Sequence, residues 1–224
     1  MFRSIRITAI ALALTSATAA QQPGPGPYTL VDGWGALPNG MQYGETPGMT
    51  IDKNGKVFAF HRGSPPVVEL DASGKILKMW GENMFVWPHG IRVDRNGFLW
   101  ITDGRGQNGK GQQVFKFDSS GKLVMTLGTA GVSGEGPDTF NGPTDVAVAP
   151  NGDVFVSDGH VNNDKMGVFV GSARDGSIKY KFEEALAEGV AVDARGNIYV
   201  GETVPGKTKT GRVTGHIVRK LAKN

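Results

Sequence analysis

The chain has 224 residues, and with 39% hydrophobic residues it is long enough to bury one sizeable core. It contains no cysteine, which excludes disulfide bonds and thiolate sites. The formal net charge of +3 falls to +1 when Arg3 and Arg6 are set aside, and no basic run stands out, so the composition argues against a nucleic-acid partner.

The amino terminus has the pattern of a signal peptide, predicted over residues 1–20. An apolar run from Ile7 to Leu14 follows the two arginines, and the small residues Ala17-Thr18-Ala19 form a cleavage site. The run is too short to span a bilayer as a mature helix. We therefore expect a secreted or periplasmic protein with no membrane span, whose mature chain starts with a Pro/Gly-rich lead-in over 21–27.

A hairpin pattern recurs along the rest of the chain. In its clearest copy, two short apolar strands at Gly90–Val93 and Phe98–Thr102 are joined by an Asp-x-Asn-Gly turn, a strong hairpin signal. Three further copies are Met49–Phe60, Val146–Asp158 and Val190–Val200, and the four turn glycines lie 42, 55 and 44 residues apart. A period near that length, built only from strands and turns, predicts the blades of a β-propeller.

Each repeat has a second half with further strands, so the predicted fold class is an all-β propeller of four-stranded blades. We place the propeller at 28–224, with repeats at about 41–81, 87–128, 141–182 and 186–222. The last repeat stops after its third strand. The segment 28–34 is expected to supply the fourth strand and close the ring, which removes exposed sheet edges. The alternative is that this segment is only an extended lead-in.

These residues resemble a known family. The stretch Pro88–Asp103, followed by Gln113–Asp118, is similar to NHL-repeat propellers and, more specifically, to the peptidyl-α-hydroxyglycine α-amidating lyases, or peptidylamidoglycolate lyases. Three further segments, Phe60–Gly63, Pro143–Val148 and Val156–Asn162, agree with that group. The repeats cover nearly the whole chain, whereas the lyase-like motifs are concentrated in its middle.

The resemblance implies a chemistry. Members of the family have about six blades, hold a catalytic zinc with histidines from three Pro-His motifs, and bind calcium deeper in the channel. They cleave a peptidyl-α-hydroxyglycine to a peptide amide and glyoxylate. Carried over by position, the resemblance implies that His89 is a zinc ligand, that Arg62 contacts the substrate and that the carbonyl near Ile91 binds calcium. His160 stands where the family has its tyrosine base, and a neutral imidazole can also serve as a base.

The sequence departs from the family in two ways. Pro88-His89 is the only Pro-His pair in the chain, so two of the three zinc histidines have no counterpart. Six blades of ~42 residues would need roughly 250 residues, whereas 204 follow the predicted leader. We therefore expect four blades and a metal site with one matched histidine.

The sequence leaves two functions open: a metal-dependent lyase, and a non-catalytic propeller that binds a peptide or carbohydrate on its rim. A calcium-dependent lactonase of the gluconolactonase type is a weaker third reading, because its carboxylate-and-asparagine set is not recognisable. Local roles are open too, since His89 can bond a neighbouring carbonyl and Arg62 can pair with Glu69 or Asp103. Packing or hydrogen-bonding roles are expected for His61, Asp103, Asp158, Trp80, Trp87 and Trp100.

Overall fold

Antiparallel β-strands make up nearly all of the regular structure. The computed structural model describes residues 31–160, 167–182, 187–193, 198–202, 206–207, 213–214 and 217–221. Three four-stranded sheets follow one another along the chain, and a three-stranded sheet and a two-stranded pair come after them. Within these ranges the single helical element is a 3₁₀ turn at Pro38–Gly40.

In each four-stranded sheet the strands are ordered as they occur in the chain. The first sheet contains β1 (Gly48–Ile51), β2 (Val57–Phe60), β3 (Val67–Leu70) and β4 (Ile76–Trp80). The second contains β5 (Pro88–Val93), β6 (Leu99–Asp103), β7 (Gln113–Phe117) and β8 (Leu123–Leu127). The third contains β9 (Pro143–Val148), β10 (Asp153–Asp158), β11 (Gly167–Ser172) and β12 (Ile178–Phe182). The three-stranded sheet contains β13 (Ala187–Val192), β14 (Ile198–Glu202) and β17 (Ile217–Leu221), and the pair contains β15 (Gly206–Lys207) and β16 (Val213–Thr214).

The sheets are arranged as the blades of a propeller. Their first strands are neighbours in space, with β1 beside β5, β5 beside β9 and β9 beside β13. Apolar clusters fill the spaces between consecutive sheets, and these contacts lie within one unit of the chain, Gly33–Asn224. The predicted all-β propeller with four-stranded blades is confirmed, and the four successive sheets are consistent with part of a propeller.

Strand β6 shows how the sequence produces this packing. Leu99 and Ile101 lie in an apolar cluster with Phe60 of the first sheet, whereas Trp100 lies in a cluster with Val146 of the third sheet. Successive side chains of a strand point to opposite faces, so a strand between two sheets is apolar on both. All five residues of β6 are buried.

The hairpin turns are held by aspartate side chains. In the turn between β5 and β6, the backbone N–H groups of Asn96 and Phe98 donate to Asp94 Oδ1 at 2.8 and 3.0 Å. Gly97 adopts a φ of +85°, which glycine reaches at little cost. The other oxygen, Asp94 Oδ2, accepts the indole N–H of Trp100 at 2.9 Å. The turn is therefore fastened to the strand that follows it.

Several expectations fall on residues outside the described ranges. These are the signal peptide at 1–20, the lead-in at 21–27, residues 28–30 of the segment expected at 28–34, and therefore the closure of the ring. No helix in the described part of the chain is long and apolar enough to cross a membrane.

Candidate functional site

The predicted site residues lie at one edge of the sheets. Arg62 and His160 follow the ends of β2 and β10, and His89 is the second residue of β5. In an antiparallel pair, the end of one strand and the beginning of its partner meet at the same edge. These side chains are thus on the edge opposite the Asp-x-Asn-Gly turns, where loops from three sheets come together.

A β-bulge places His89. His89 and Gly90 of β5 together oppose a single residue of β6, Thr102. The N–H of Gly90 donates to Thr102 Oγ1 at 2.7 Å. A Cβ atom on Gly90 would lie 2.5 Å from the carbonyl oxygen of Thr144, so only glycine permits this approach to the third sheet.

The ring of His89 is oriented by Thr144. His89 Nδ1 lies 2.8 Å from the Thr144 carbonyl oxygen, which can only accept, so Nδ1 is the donor. In the neutral ring the acceptor nitrogen is then Nε2. A carbonyl contact of this kind fixes a histidine at a hairpin entry, and it is also how proteins orient metal-binding histidines.

Three aromatic rings and two guanidinium groups converge beside the bulge. The rings of Trp87 and His160 are stacked, with their centroids 5.0 Å apart. The centroid of the His89 ring lies 5.1 Å from that of Trp87 and 5.3 Å from that of His160. The guanidinium carbons of Arg62 and Arg105 lie 4.0 and 4.3 Å from the centroid of the Trp87 ring. We call these five residues the Trp87 cluster.

Arg62 has protein partners on two sides. Its Nε donates to the carbonyl of Pro88 at 3.2 Å, and its guanidinium forms an ion pair with Glu45. The alternative partner Glu69 instead binds Lys56, at 3.0 Å. The Glu45 side chain is 76% exposed, so this ion pair lies at the solvent boundary.

Two buried aspartates hold the backbone under the cluster. Asp103 accepts the N–H groups of Val86 and Trp87 at 2.8 and 2.6 Å. The two carboxylate oxygens of Asp158 both accept the N–H of Asn141, with N···O distances of 2.8 and 2.9 Å. Because burial removes water from the ionised form, it raises the pKa of Asp103 to about 6 and that of Asp158 to about 7.

The contacts of His61 differ from those of the other two histidines. It is 1% exposed, and its Nδ1 accepts the N–H groups of Gly44 and Gly63, both at 3.0 Å. The proton is therefore on Nε2, which has no hydrogen-bond partner in the described structure. Burial lowers the pKa of His61, and its ring packs edge-on against Tyr43. Its contacts are those of a buried packing residue.

The residues available for a metal are few. In the described ranges no group of three or more histidine, aspartate or glutamate side chains could hold an ion. Catalytic zinc normally has three protein ligands, so the imidazoles of His89 and His160 do not complete such a site. Ile91, whose carbonyl is the predicted calcium contact, lies in β5 and is 2% exposed.

Comparison with known proteins shows which proteins this chain is similar to. The NHL repeat matches residues 140–169. The chain is 33% identical over 146 residues to a probable peptidyl-α-hydroxyglycine α-amidating lyase of Caenorhabditis elegans, covering 54% of this chain and 40% of that protein. It is 34% identical over 163 residues to peptidyl-α-hydroxyglycine α-amidating lyase 1 of Drosophila melanogaster, covering 60% of this chain and 29% of that protein. This chain carries an NHL repeat and is homologous to the amidating lyases.

The homology has a limited extent. The chain spans less than half the length of the two amidating lyases named above. A streptogramin B lyase structure matches with a TM-score of 0.54 at 16% identity, covering 78% of this chain and 55% of that one. At that identity the structural likeness shows the propeller fold alone.

Two members of the Trp87 cluster were not predicted as site residues from the sequence. Trp87 was expected to pack between sheets, and Arg105 was given no role. Trp80 and Trp100 do lie in apolar clusters between sheets, whereas half-buried Trp87 contacts two cations and two histidines. The available signal was position, because Trp87 directly precedes the Pro-His pair at the site edge.

Proposed function

We propose that the Trp87 cluster binds a peptidyl-α-hydroxyglycine and cleaves it to a peptide amide and glyoxylate. The observation that carries this proposal is the convergence of His89 and His160, with ring centroids 5.3 Å apart, beside an indole that also contacts Arg62. Homology to the amidating lyases supports the same class of substrate.

Arg62 binds the carboxylate at the α-hydroxyglycine end of the ligand. Its present partner Glu45 is highly exposed, and a solvated ion pair of this kind is worth little, so a ligand carboxylate can replace it. The bond from Nε to the Pro88 carbonyl and the contact with Trp87 limit the orientation of the guanidinium. A planar guanidinium binds a carboxylate through two parallel hydrogen bonds. The reacting carbon is thereby held next to the histidines.

His160 acts as the base. Its neutral imidazole takes the proton of the α-hydroxyl group, and that oxygen becomes the aldehyde oxygen of glyoxylate as the carbon–nitrogen bond breaks. The electron pair of the broken bond stays on the amide nitrogen, which then takes the proton back from the imidazolium. No proton is gained or lost overall, and no water is consumed.

Zinc at His89 and calcium at the Ile91 carbonyl belong to the proposal as well. A bound zinc ion supplies a Lewis acid that polarises a substrate oxygen, and His89 would donate to it through Nε2. Because the described residues offer two imidazoles and not three protein ligands, the proton transfers proposed for His160 do not require a metal.

The test is release of glyoxylate from N-benzoyl-α-hydroxyglycine by the full chain, with and without added zinc. We expect turnover that falls by about 10²–10⁴-fold in His160→Ala, and a raised KM in Arg62→Gln. Lys53→Ala, at the opposite edge, is the control and should keep both constants. Glyoxylate release that persists in His160→Ala contradicts the base, and no release under any metal condition contradicts the lyase.

A non-catalytic binder is the second candidate, and one observation favours it. Thr144 and His89 are each the second residue of the first strand of their sheet, directly after a proline. The hydroxyl group of Thr144 is hydrogen-bonded to that of Ser157 at 2.7 Å. A second Pro-His histidine is thus replaced by an internally bonded threonine. Binding of the benzoyl compound without glyoxylate release would support a peptide- or carbohydrate-binding rim, where Trp87 offers its ring to the ligand.

We also propose that the protein is exported, on the strength of the signal-peptide pattern at 1–20. Mass spectrometry of the mature protein should show a chain that starts near Gln21. A mature protein that retains Met1 would contradict export through this leader.

A further inference from the structure

The loop between β6 and β7 is glycine-rich but firmly held. The N–H of Gly104 donates to the carbonyl of Trp87 at 3.0 Å, and Gln107 and Lys110 exchange two backbone hydrogen bonds at 2.9 and 3.0 Å. At the end of the loop, the buried amide oxygen of Gln112 accepts the N–H of Gly142 at 2.7 Å. The backbone of this loop therefore has a defined position beside the site.

The chain beside Arg105 is tied to Trp87 from both sides of the β6 end. Asp103, the last residue of β6, accepts the backbone N–H groups of Val86 and Trp87, and the next residue, Gly104, donates to the carbonyl of Trp87. The residue directly before Arg105 is thus tied to the segment that enters β5. The guanidinium of Arg105 starts from a fixed backbone, next to the indole that it contacts.

The two arginines of the cluster differ in their charge partners. Arg62 is paired with Glu45, whereas Arg105 is exposed and forms no ion pair with a carboxylate of the described residues. Stacking on an indole leaves the N–H edge of a guanidinium able to donate to an anion. The site therefore carries a positive charge beyond the one that the reacting carboxylate requires.

We propose that Arg105 is a specificity-determining residue, which binds the carboxylate of an acidic side chain in the peptide part of the ligand. This inference rests on the function proposed above. Both guanidinium groups contact one indole, and a peptide advances roughly 3.3–3.6 Å per residue. The acidic residue that Arg105 recognises is therefore the one directly before the α-hydroxyglycine, or the one before that.

The experiment compares N-acetyl-glutamyl-α-hydroxyglycine with its glutaminyl counterpart, which has the same shape and no side-chain charge. We expect the wild-type protein to prefer the glutamyl compound by about 5-fold in kcat/KM, with a preference that shrinks as salt is added. In Arg105→Gln the ratio should fall to about 1, and Arg105→Glu should reverse it. Lys110→Gln removes a cation from the same loop and should keep the wild-type ratio.

A second readout separates this inference from the lyase activity. Acetyl-glutamyl-glycine and acetyl-glutaminyl-glycine lack the α-hydroxyl group and cannot be cleaved, so their affinities are measured by the fluorescence of the tryptophans. A glutamyl preference that Arg105→Gln abolishes supports the inference even if no glyoxylate is ever released. Equal affinities in the wild-type protein, or a preference that survives Arg105→Gln, overturn it.

Discussion

Asp103 and Asp158 occupy equivalent positions, as the last residues of β6 and β10. Each accepts backbone N–H groups of the segment that leads into the first strand of its own sheet, Val86 and Trp87 in one case and Asn141 in the other. The carboxylates thus take the place of a strand partner where the incoming chain has none. Their raised pKa values follow from burial and need no role in proton transfer.

The pKa of Asp158 predicts how stability depends on pH. Because its folded pKa of about 7 lies above the ordinary 3.8, the folded state holds this proton more tightly than the unfolded state. The stabilisation is complete below pH 3.8 and is lost as pH rises through about 7, by at most about 1.4 kcal/mol per pH unit.

We expect urea unfolding at pH 4.5 and 7.5 to show this loss in the wild-type protein and a smaller change in Asp158→Asn. Asp118→Asn is the control, because hydrogen bonds from Ser120 and Lys122 lower the pKa of that exposed carboxyl, and it should keep the wild-type change over this range. An equal pH dependence in wild type and Asp158→Asn would contradict the assignment.

At the scale of the strand, local pattern predicted the middle of each element better than its ends. The sequence placed the strands of the second hairpin at 90–93 and 98–102, whereas β5 is Pro88–Val93 and β6 is Leu99–Asp103. The two additional residues at the start of β5 depend on the bulge, which is held by Thr102 and by the carbonyl of Thr144 in the next sheet. Thr144 is more than 40 residues from both His89 and Thr102 along the chain, so no short stretch of sequence contains both partners of these contacts.

The candidate site shows the same limit. The resemblance named His89, His160 and Arg62, and the structure brings these three side chains to the Trp87 ring. Arg105 comes from a loop without hydrophobic periodicity, and its place depends on the hydrogen bonds that Asp103 and Gly104 make with the backbone of Trp87. Those bonds exist only once β5 and β6 are paired, so the pattern of the loop itself carried no signal for its role.

At the scale of the whole molecule, each sheet is stabilised mainly by its neighbours, as in other repeat proteins. The side chain of Asp145 contributes to this stabilisation, because it joins its own sheet to both neighbouring sheets. Asp145 of β9 accepts two hydrogen bonds from Arg92 of β5, at 3.0 and 2.8 Å, and a weaker one from the N–H of Val190 of β13, at 3.4 Å. Its side chain is only 11% exposed. Asp145 thus links the first strands of three consecutive sheets.

This arrangement predicts that Asp145→Asn lowers the free energy of unfolding by about 1–3 kcal/mol, because a buried acceptor of several hydrogen bonds loses its charge. Asp153→Asn is the matched control. Asp153 is similarly shielded, at 15% exposure, but its ion pair with Lys179 lies within the third sheet, so its loss should cost less than about 1 kcal/mol.

Urea unfolding followed by tryptophan fluorescence measures the free energy of unfolding of both variants. A lower m-value in Asp145→Asn would indicate that the sheets no longer unfold as one unit. If the free energy of unfolding fell equally in the two variants, the hydrogen bonds between sheets would contribute no more than an ion pair within one sheet.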